Sequence, residues 1–170
     1  PQILFHVDAI QAFGKYKIVP KKLGVDMMSV SGHKIHGPKG SGFLYVNEKV
    51  KIRPILFGGG QQDGMRSGTE NVPAIAGLGV AVKEIYTGHS EKRAKLYELK
   101  KRLIAGLQDV DGVTINALID PIEETAPHIV SVSFANTRSE VMLHALAQKG
   151  VFVSSGSACS SKKRDNRIAK

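Results

Sequence analysis

The side chains best suited to covalent and acid–base chemistry fall in two places. Near the start, Asp8 is followed by Gln11, and then Ser31, His33 and Lys34 stand in the run Ser31-Gly32-His33-Lys34-Ile35-His36-Gly37-Pro38-Lys39-Gly40. Near the end, the only cysteine sits in Ser154-Ser155-Gly156-Ser157-Ala158-Cys159-Ser160-Ser161. A lysine with the ordinary pKa of about 10.4 is a poor nucleophile at neutral pH. Held at a buried strand end beside cations such as His33 and Lys39, it can be neutral part of the time, as Schiff-base chemistry requires. An acid one strand away, Asp8, would suit a protonated ring nitrogen. Blander readings compete. Most lysines are solvated charges, Asp8 could be the N-cap of a helix over residues 9–13, and a lone cysteine is more often a small buried hydrophobe. His6, His33 and His36 have no carboxylate or thiol repeating with them, which disfavours zinc.

These residues need elements to hold them. Ile3-Leu4-Phe5-His6-Val7 ends on Asp8, and Met27-Met28-Ser29-Val30 ends on Ser31. Two short apolar runs that stop on polar groups predict buried parallel strands delivering side chains to one rim of a sheet, where ligands of open α/β sheets collect. Between them a short helix from Gln11 to Tyr16 and a loop complete a crossover. Phe43-Leu44-Tyr45-Val46 follows the tight turn at Pro38-Lys39-Gly40-Ser41-Gly42, so it should run antiparallel to its neighbour. The glycine-rich stretch from Gly58 to Asn71 is long for a compact domain and reads equally as a surface loop or as an anion cradle with Arg66 and Thr69. Ala74 to Val82 is apolar nearly all round and predicts a buried helix, with Gly77 and Gly79 explained by close packing and Gly88 as its break. A helix over 90–109 carries Leu96, Leu99, Leu103, Ile104 and Leu107 on one stripe. Strands are expected at 113–117, 128–134 and 151–153, and a helix over 139–149 capped by Ser139 and ended by Gly150.

Composition removes several classes. The formal charge is +9, but the lysines and arginines are dispersed and lack the aromatic interleaving that single-stranded nucleic acid needs. DNA binding and a non-catalytic binding module are the weaker alternatives. No apolar run approaches a membrane span, and the first residues do not read as a signal peptide. One cysteine cannot make an intrachain disulfide and fits a reducing compartment, the cytoplasm. Pro1-Gln2 leads straight into an apparent core strand, so the chain reads as a piece of a longer protein.

His6-Val7-Asp8-Ala9-Ile10-Gln11-Ala12 and Ser31 to Gly40 resemble the cofactor region of cysteine desulfurases, members of the class V aminotransferase family. Gly58-Gly59-Gly60-Gln61 through Arg66-Ser67-Gly68-Thr69, and Ser154 to Cys159, match in the same order. The resemblance implies an α/β fold. Residues 1–88 would be the C-terminal part of a fold-type-I pyridoxal-phosphate-binding large domain, a mainly parallel sheet with helices. Residues 89–170 would be a connecting helix and part of a smaller α+β domain carrying the cysteine loop. It implies that Lys34 is the Schiff-base lysine, that Asp8 pairs with the pyridine nitrogen, and that Gln11 bonds the phenolic oxygen. Ser31 and His33 would hold the phosphate, joined by Thr69 from the second subunit of a homodimer.

Cys159 would take sulfur from L-cysteine as a persulfide, leave L-alanine, and pass the sulfur to a scaffold or acceptor protein. The form of its loop resembles the long-loop subgroup linked to iron–sulfur cluster assembly, where transient iron–sulfur ligation by Cys159 is the one metal role left open. A selenocysteine lyase or another class V member shares the lysine motif. The family's ring-stacking residue and its carboxylate-binding arginine have no counterpart within these 170 residues. The isolated chain is therefore expected to retain pyridoxal phosphate weakly and to turn over negligibly. Absorbance spectra and sulfide release from the purified chain check this, and a strong yellow band with cysteine-dependent sulfide would contradict it.

Overall fold

The computed structural model of the chain describes residues 3–116 and 120–156. They form β1 (His6–Asp8), β2 (Met27–Ser31), β3 (Gly42–Val46), α1 (Val72–Tyr86), α2 (His89–Gln108), β4 (Val113–Asn116), β5 (Ser131–Phe134) and α3 (Ser139–Gln148). Two compact units result. One comprises residues up to Leu96 with Ala126–His128, the other Tyr97–Thr125 and the residues from Ile129 onward.

In the first unit the sheet order is β1-β2-β3. β1 and β2 run parallel with His6 opposite Met27 and Asp8 opposite Ser29, and β2 and β3 run antiparallel with Ser31 opposite Gly42. Both directions are those the connection lengths predict. Alternation along β2 sends Met28 and Val30 into a core with Ala9, Phe13, Val25, Ile35, Leu78 and Ala81. Met27, Ser29 and Ser31 face the other way and stay half-exposed. The expected strands buried on both faces are thus covered on one face among the described residues, because α1 and the 9–18 segment supply a single layer.

The expected short helix from Gln11 to Tyr16 is instead a pair of successive turns. Phe13 N donates to Ala9 O at 2.8 Å and Tyr16 N to Ala12 O at 3.1 Å. Gly14 stops propagation by adopting φ 78°, and a Cβ there would lie 2.8 Å from Ile85 Cγ1. α1 begins where Asn71 Oδ1 accepts from Ala74 N at 3.2 Å, with Pro73 in the first turn. It is not buried all round: Leu78 and Ala81 are buried, whereas Val72 and Val80 are 65% and 62% exposed. The helix has one neighbouring layer and so buries one stripe. Gly88, at φ 60°, separates it from α2 as expected.

In the second unit β4 and β5 pair antiparallel, Val113 opposite Phe134. The buried residues of α2 are Tyr97, Lys100 and Ile104. Leu99 and Leu103, expected on the packed stripe, are exposed. The stripe is rotated because Tyr97 and Lys100 find polar partners inside. Tyr97 OH lies 2.9 Å from the carbonyls of both Glu123 and Thr125, and Lys100 Nζ donates to Thr125 Oγ1 at 2.6 Å. α3 starts one residue earlier than expected, with Arg138 at the N-cap and Ser139 already helical. It ends as expected, Gly150 taking φ 74° while Val151 N donates to Leu146 O. Val151–Val153, expected as a strand, pairs with nothing among the described residues.

Gly77 and Gly79 differ in a way the sequence hides. A Cβ on Gly77 would sit 2.8 Å from Pro38 Cγ, while one on Gly79 would meet nothing within 4 Å. Gly79→Ala should therefore stabilise the chain by about 0.5–1 kcal/mol through helix propensity. Gly77→Ala should lose that gain to overpacking and come out about 1–2 kcal/mol less stable. Urea unfolding of the two variants checks the opposite signs.

Candidate active site

The site is assembled from strand ends. His6 and Asp8 share a face of β1, Ser29 and Ser31 the matching face of β2, and the strands point the same way. Asp8 and Ser31 therefore both lie at the carboxyl edge. β2 runs directly into a 3₁₀ turn, Gly32–Ile35, which carries His33 and Lys34. Ile35 is 1% exposed and Gly32 is buried, so the turn is pinned at both ends and turns His33 and Lys34 out to solvent. His36 closes the turn with φ 67°, and its N–H and that of Gly37 both donate to Gly32 O. Gly32 has no room for a side chain, since a Cβ would lie 2.6 Å from Ser41 Oγ. Ser41 in turn donates to Pro38 O at 2.7 Å and accepts from Gly32 N, through its carbonyl, at 2.8 Å.

Asp8 serves one of the roles weighed for it, the cap. Its Oδ1 accepts from Ile10 N at 3.0 Å, a local turn cap, and among the described residues nothing donates to Oδ2. Gln11 is exposed on the turns that follow. Those turns are held by Tyr86, whose hydroxyl accepts from Gly14 N at 3.3 Å and donates to Tyr16 O at 3.2 Å. The Phe13 and Tyr86 rings meet edge-on at 5.5 Å, and the Arg93 guanidinium lies 5.2 Å from the centre of the Tyr16 ring.

The Gly58–Thr69 stretch closes on itself. Ser67 Oγ donates to Gly59 O at 2.9 Å, Gly68 N to Gln61 Oε1 at 3.2 Å, and Arg66 Nη1 to Ser67 O at 3.1 Å. Thr69 is exposed between that loop and the α1 cap. No hydrogen bond or ion pair among the described residues joins Asp8, Gln11, Ser31, His33, Lys34 and Thr69 to one another. Cys159 lies outside the described residues. Among those described, no three His, Cys, Asp or Glu side chains gather as a metal site. One contact escaped the sequence reading: His6 Nε2 and Ser29 Oγ share a hydrogen bond of 2.9 Å. Alternation placing His6 on the face of Asp8 was its available signal.

The class-V aminotransferase family model matches residues 1–167. The chain belongs to the class V aminotransferase family. It is 47% identical over 161 residues to the cysteine desulfurase IscS of Edwardsiella ictaluri (strain 93-146), covering 94% of this chain and 39% of that protein. Among solved structures it is similar to a NifS-like protein with a TM-score of 0.81 and 41% identity, covering 97% of this chain and 44% of the other. It is also similar to SspA in complex with cysteine, with a TM-score of 0.64, 30% identity, and 95% and 43% coverage. The resemblance read from the four motifs agrees with these relatives, and the α/β fold is theirs. The chain spans about two fifths of the length of each.

In this class V aminotransferase chain Tyr86 gives a test of how the Gln11 turns are held. Burial pushes the Tyr86 hydroxyl above its ordinary value. The unfolded chain then sheds this proton first, from about pH 10 upward, so Tyr86 makes stability fall as pH rises past that point. Tyr86→Phe should cost about 1–2 kcal/mol at neutral pH by removing the bonds to Gly14 and Tyr16, and should flatten the alkaline loss. Urea midpoints from about pH 8 to about pH 11 measure both effects.

Proposed function

We propose that the intact protein is a pyridoxal-phosphate-dependent cysteine desulfurase that transfers sulfur from L-cysteine to Cys159 and releases L-alanine. One observation carries the reading. Asp8 and Ser31 end adjacent parallel strands, with Lys34 exposed on the turn directly after, in a chain 47% identical to a cysteine desulfurase. The donor set fits the cofactor: an amine for its carbonyl carbon, a carboxylate oxygen without a protein donor for its ring N–H, and a hydroxyl and an imidazole for its phosphate. When bound, pyridoxal phosphate supplies the electron sink for bonds broken around the substrate's Cα and Cβ.

The protein's own residues supply the rest. Lys34 would hold the cofactor through Nζ, and the same amine would move the proton at the substrate Cα. Asp8 Oδ2 accepts the ring N–H and keeps that nitrogen protonated. Ser31 and His33 hold the phosphate, Gln11 orients the phenolic oxygen, and Thr69 reaches the phosphate site of the partner subunit in a homodimer. The Cys159 thiolate bonds to the substrate sulfur as the bond from sulfur to Cβ breaks. That electron pair stays with carbon, which takes up a proton, so cysteine and thiol become alanine and a persulfide. The persulfide sulfur passes to a scaffold or acceptor protein for iron–sulfur cluster or thio-cofactor assembly. Residues 1–88 belong to the cofactor-binding domain and 89–170 to the connecting helix and smaller domain. No helix among the described residues is long and apolar enough to cross a membrane, and the lone cysteine supports a cytoplasmic site of action.

The full-length parent with pyridoxal phosphate should convert L-cysteine to L-alanine and protein-bound persulfide. Lys34→Ala should lower turnover by about 10²–10⁴-fold or more through the lost proton transfer alone. Cys159→Ser should abolish the persulfide yet keep the visible band of the bound cofactor. Undiminished alanine formation by the Lys34 variant would sink the reading. Release of selenium from selenocysteine that survives Cys159→Ser, without activity on cysteine, would reassign the substrate.

A further inference from the structure

The His6–Ser29 contact has no part in the chemistry above, yet it lies one side-chain layer from it. Ser29 is the cross-strand partner of Asp8, and His6 precedes Asp8 by two residues on the same face of β1. Adjacent strands stand about 4.8 Å apart, which brings a serine hydroxyl within reach of a carboxylate directly opposite. Asp8 has one oxygen committed to Ile10 N and the other without a donor among the described residues. An unrestrained Ser29 hydroxyl would donate to that second oxygen, because a carboxylate is the strongest acceptor nearby. It does not. Among the described residues its side chain shares one hydrogen bond, with His6 Nε2 at 2.9 Å, and the His6 tautomer decides which group donates.

We propose that His6 is a positioning residue: by accepting the Ser29 proton at Nε2 it holds that hydroxyl away from Asp8, leaving Oδ2 open to the ring N–H of the cofactor. This rests on the pyridoxal phosphate reading above. His6 then carries its own ring proton on Nδ1. The arrangement acts by removing a competitor. Pinning two strands together is a different role, and it makes a different prediction for the double variant.

The test is pyridoxal phosphate affinity of the full-length apo-protein, read from the visible band, with thermal unfolding of each apo form alongside. His6→Ala frees Ser29 to bond Asp8 and should raise Kd about tenfold, the scale of one hydrogen bond to a charged group. Ser29→Ala alone should leave Kd within about twofold. The double variant should return to the wild-type Kd, since the competing hydroxyl has gone. His6→Gln, whose amide oxygen can accept from Ser29, should also bind as wild type does. ¹⁵N imidazole spectra of the wild-type apo-protein should show His6 protonated on Nδ1. A double variant as weak as His6→Ala, an unchanged Kd in His6→Ala, or the Nε2–H tautomer each overturns the proposal. Failure of the underlying reading looks different: the wild type itself would show no Lys34-dependent band.

Discussion

The parallel ladder between β1 and β2 is the constraint on which the candidate site depends. β1 is three residues long, and its hold on β2 comes from a few main-chain bonds, among them Met27 N to Phe5 O and Ala9 N to Ser29 O at 3.2 and 3.0 Å. Side chains alternate with period two, so a slip of one residue would carry Asp8 to the face occupied by Met28 and Val30. Two side-chain bonds hold the register. Asp26 Oδ2 accepts from Phe5 N at 2.9 Å just before β1, and His6, its first residue, shares a bond with Ser29 opposite its last. Burial of Met28 and Val30 supplies the energetic reason that only one register is available, since each fully buried aliphatic side chain is worth about 1.5–3 kcal/mol.

The lysine turn is fixed by close packing together with main-chain bonds to Gly32 and Ser41. Lys34 is exposed because its neighbour Ile35 is the most deeply buried large side chain among the described residues. The turn can lie that close to α1 only because small residues meet there. Gly32 stands near Leu78, Gly37 near Ala81, and Pro38 rests on Gly77. The proposed function uses this amine, which stands on a pinned turn with no ion pair among the described residues. The same packing explains why α1 tolerates a glycine in its interior at the cost of helix propensity.

Charge contributes little to this framework. Two exposed ion pairs among the described residues, Lys21 with Glu48 at 2.7 Å and Lys101 with Glu123 at 2.6 Å, lower the pKa of each glutamate. Exposed pairs of this kind stabilise by at most a fraction of a kcal/mol. The lysines and arginines behind the net charge of +9 are likewise dispersed along the sequence.

What the sequence determined by itself was the chemistry and the order of the elements. Residue types at Asp8, Ser31, His33, Lys34 and Cys159 are covalent facts, and short apolar runs with tight turns between them specify strands and their directions locally. The parallel and antiparallel pairings, the break at Gly88 and the end of α3 at Gly150 were all legible for that reason. The tertiary structure decided everything that depends on which face meets a neighbour. It exposed Val80 and Leu103, buried Lys100 against Thr125, and replaced a helix at 11–16 by turns around Gly14. It also separated Gly77 from Gly79, two glycines the sequence treats alike. The His6–Ser29 bond belongs to the same class. It joins residues 23 apart in sequence, and only the register of one strand against another brings such residues together.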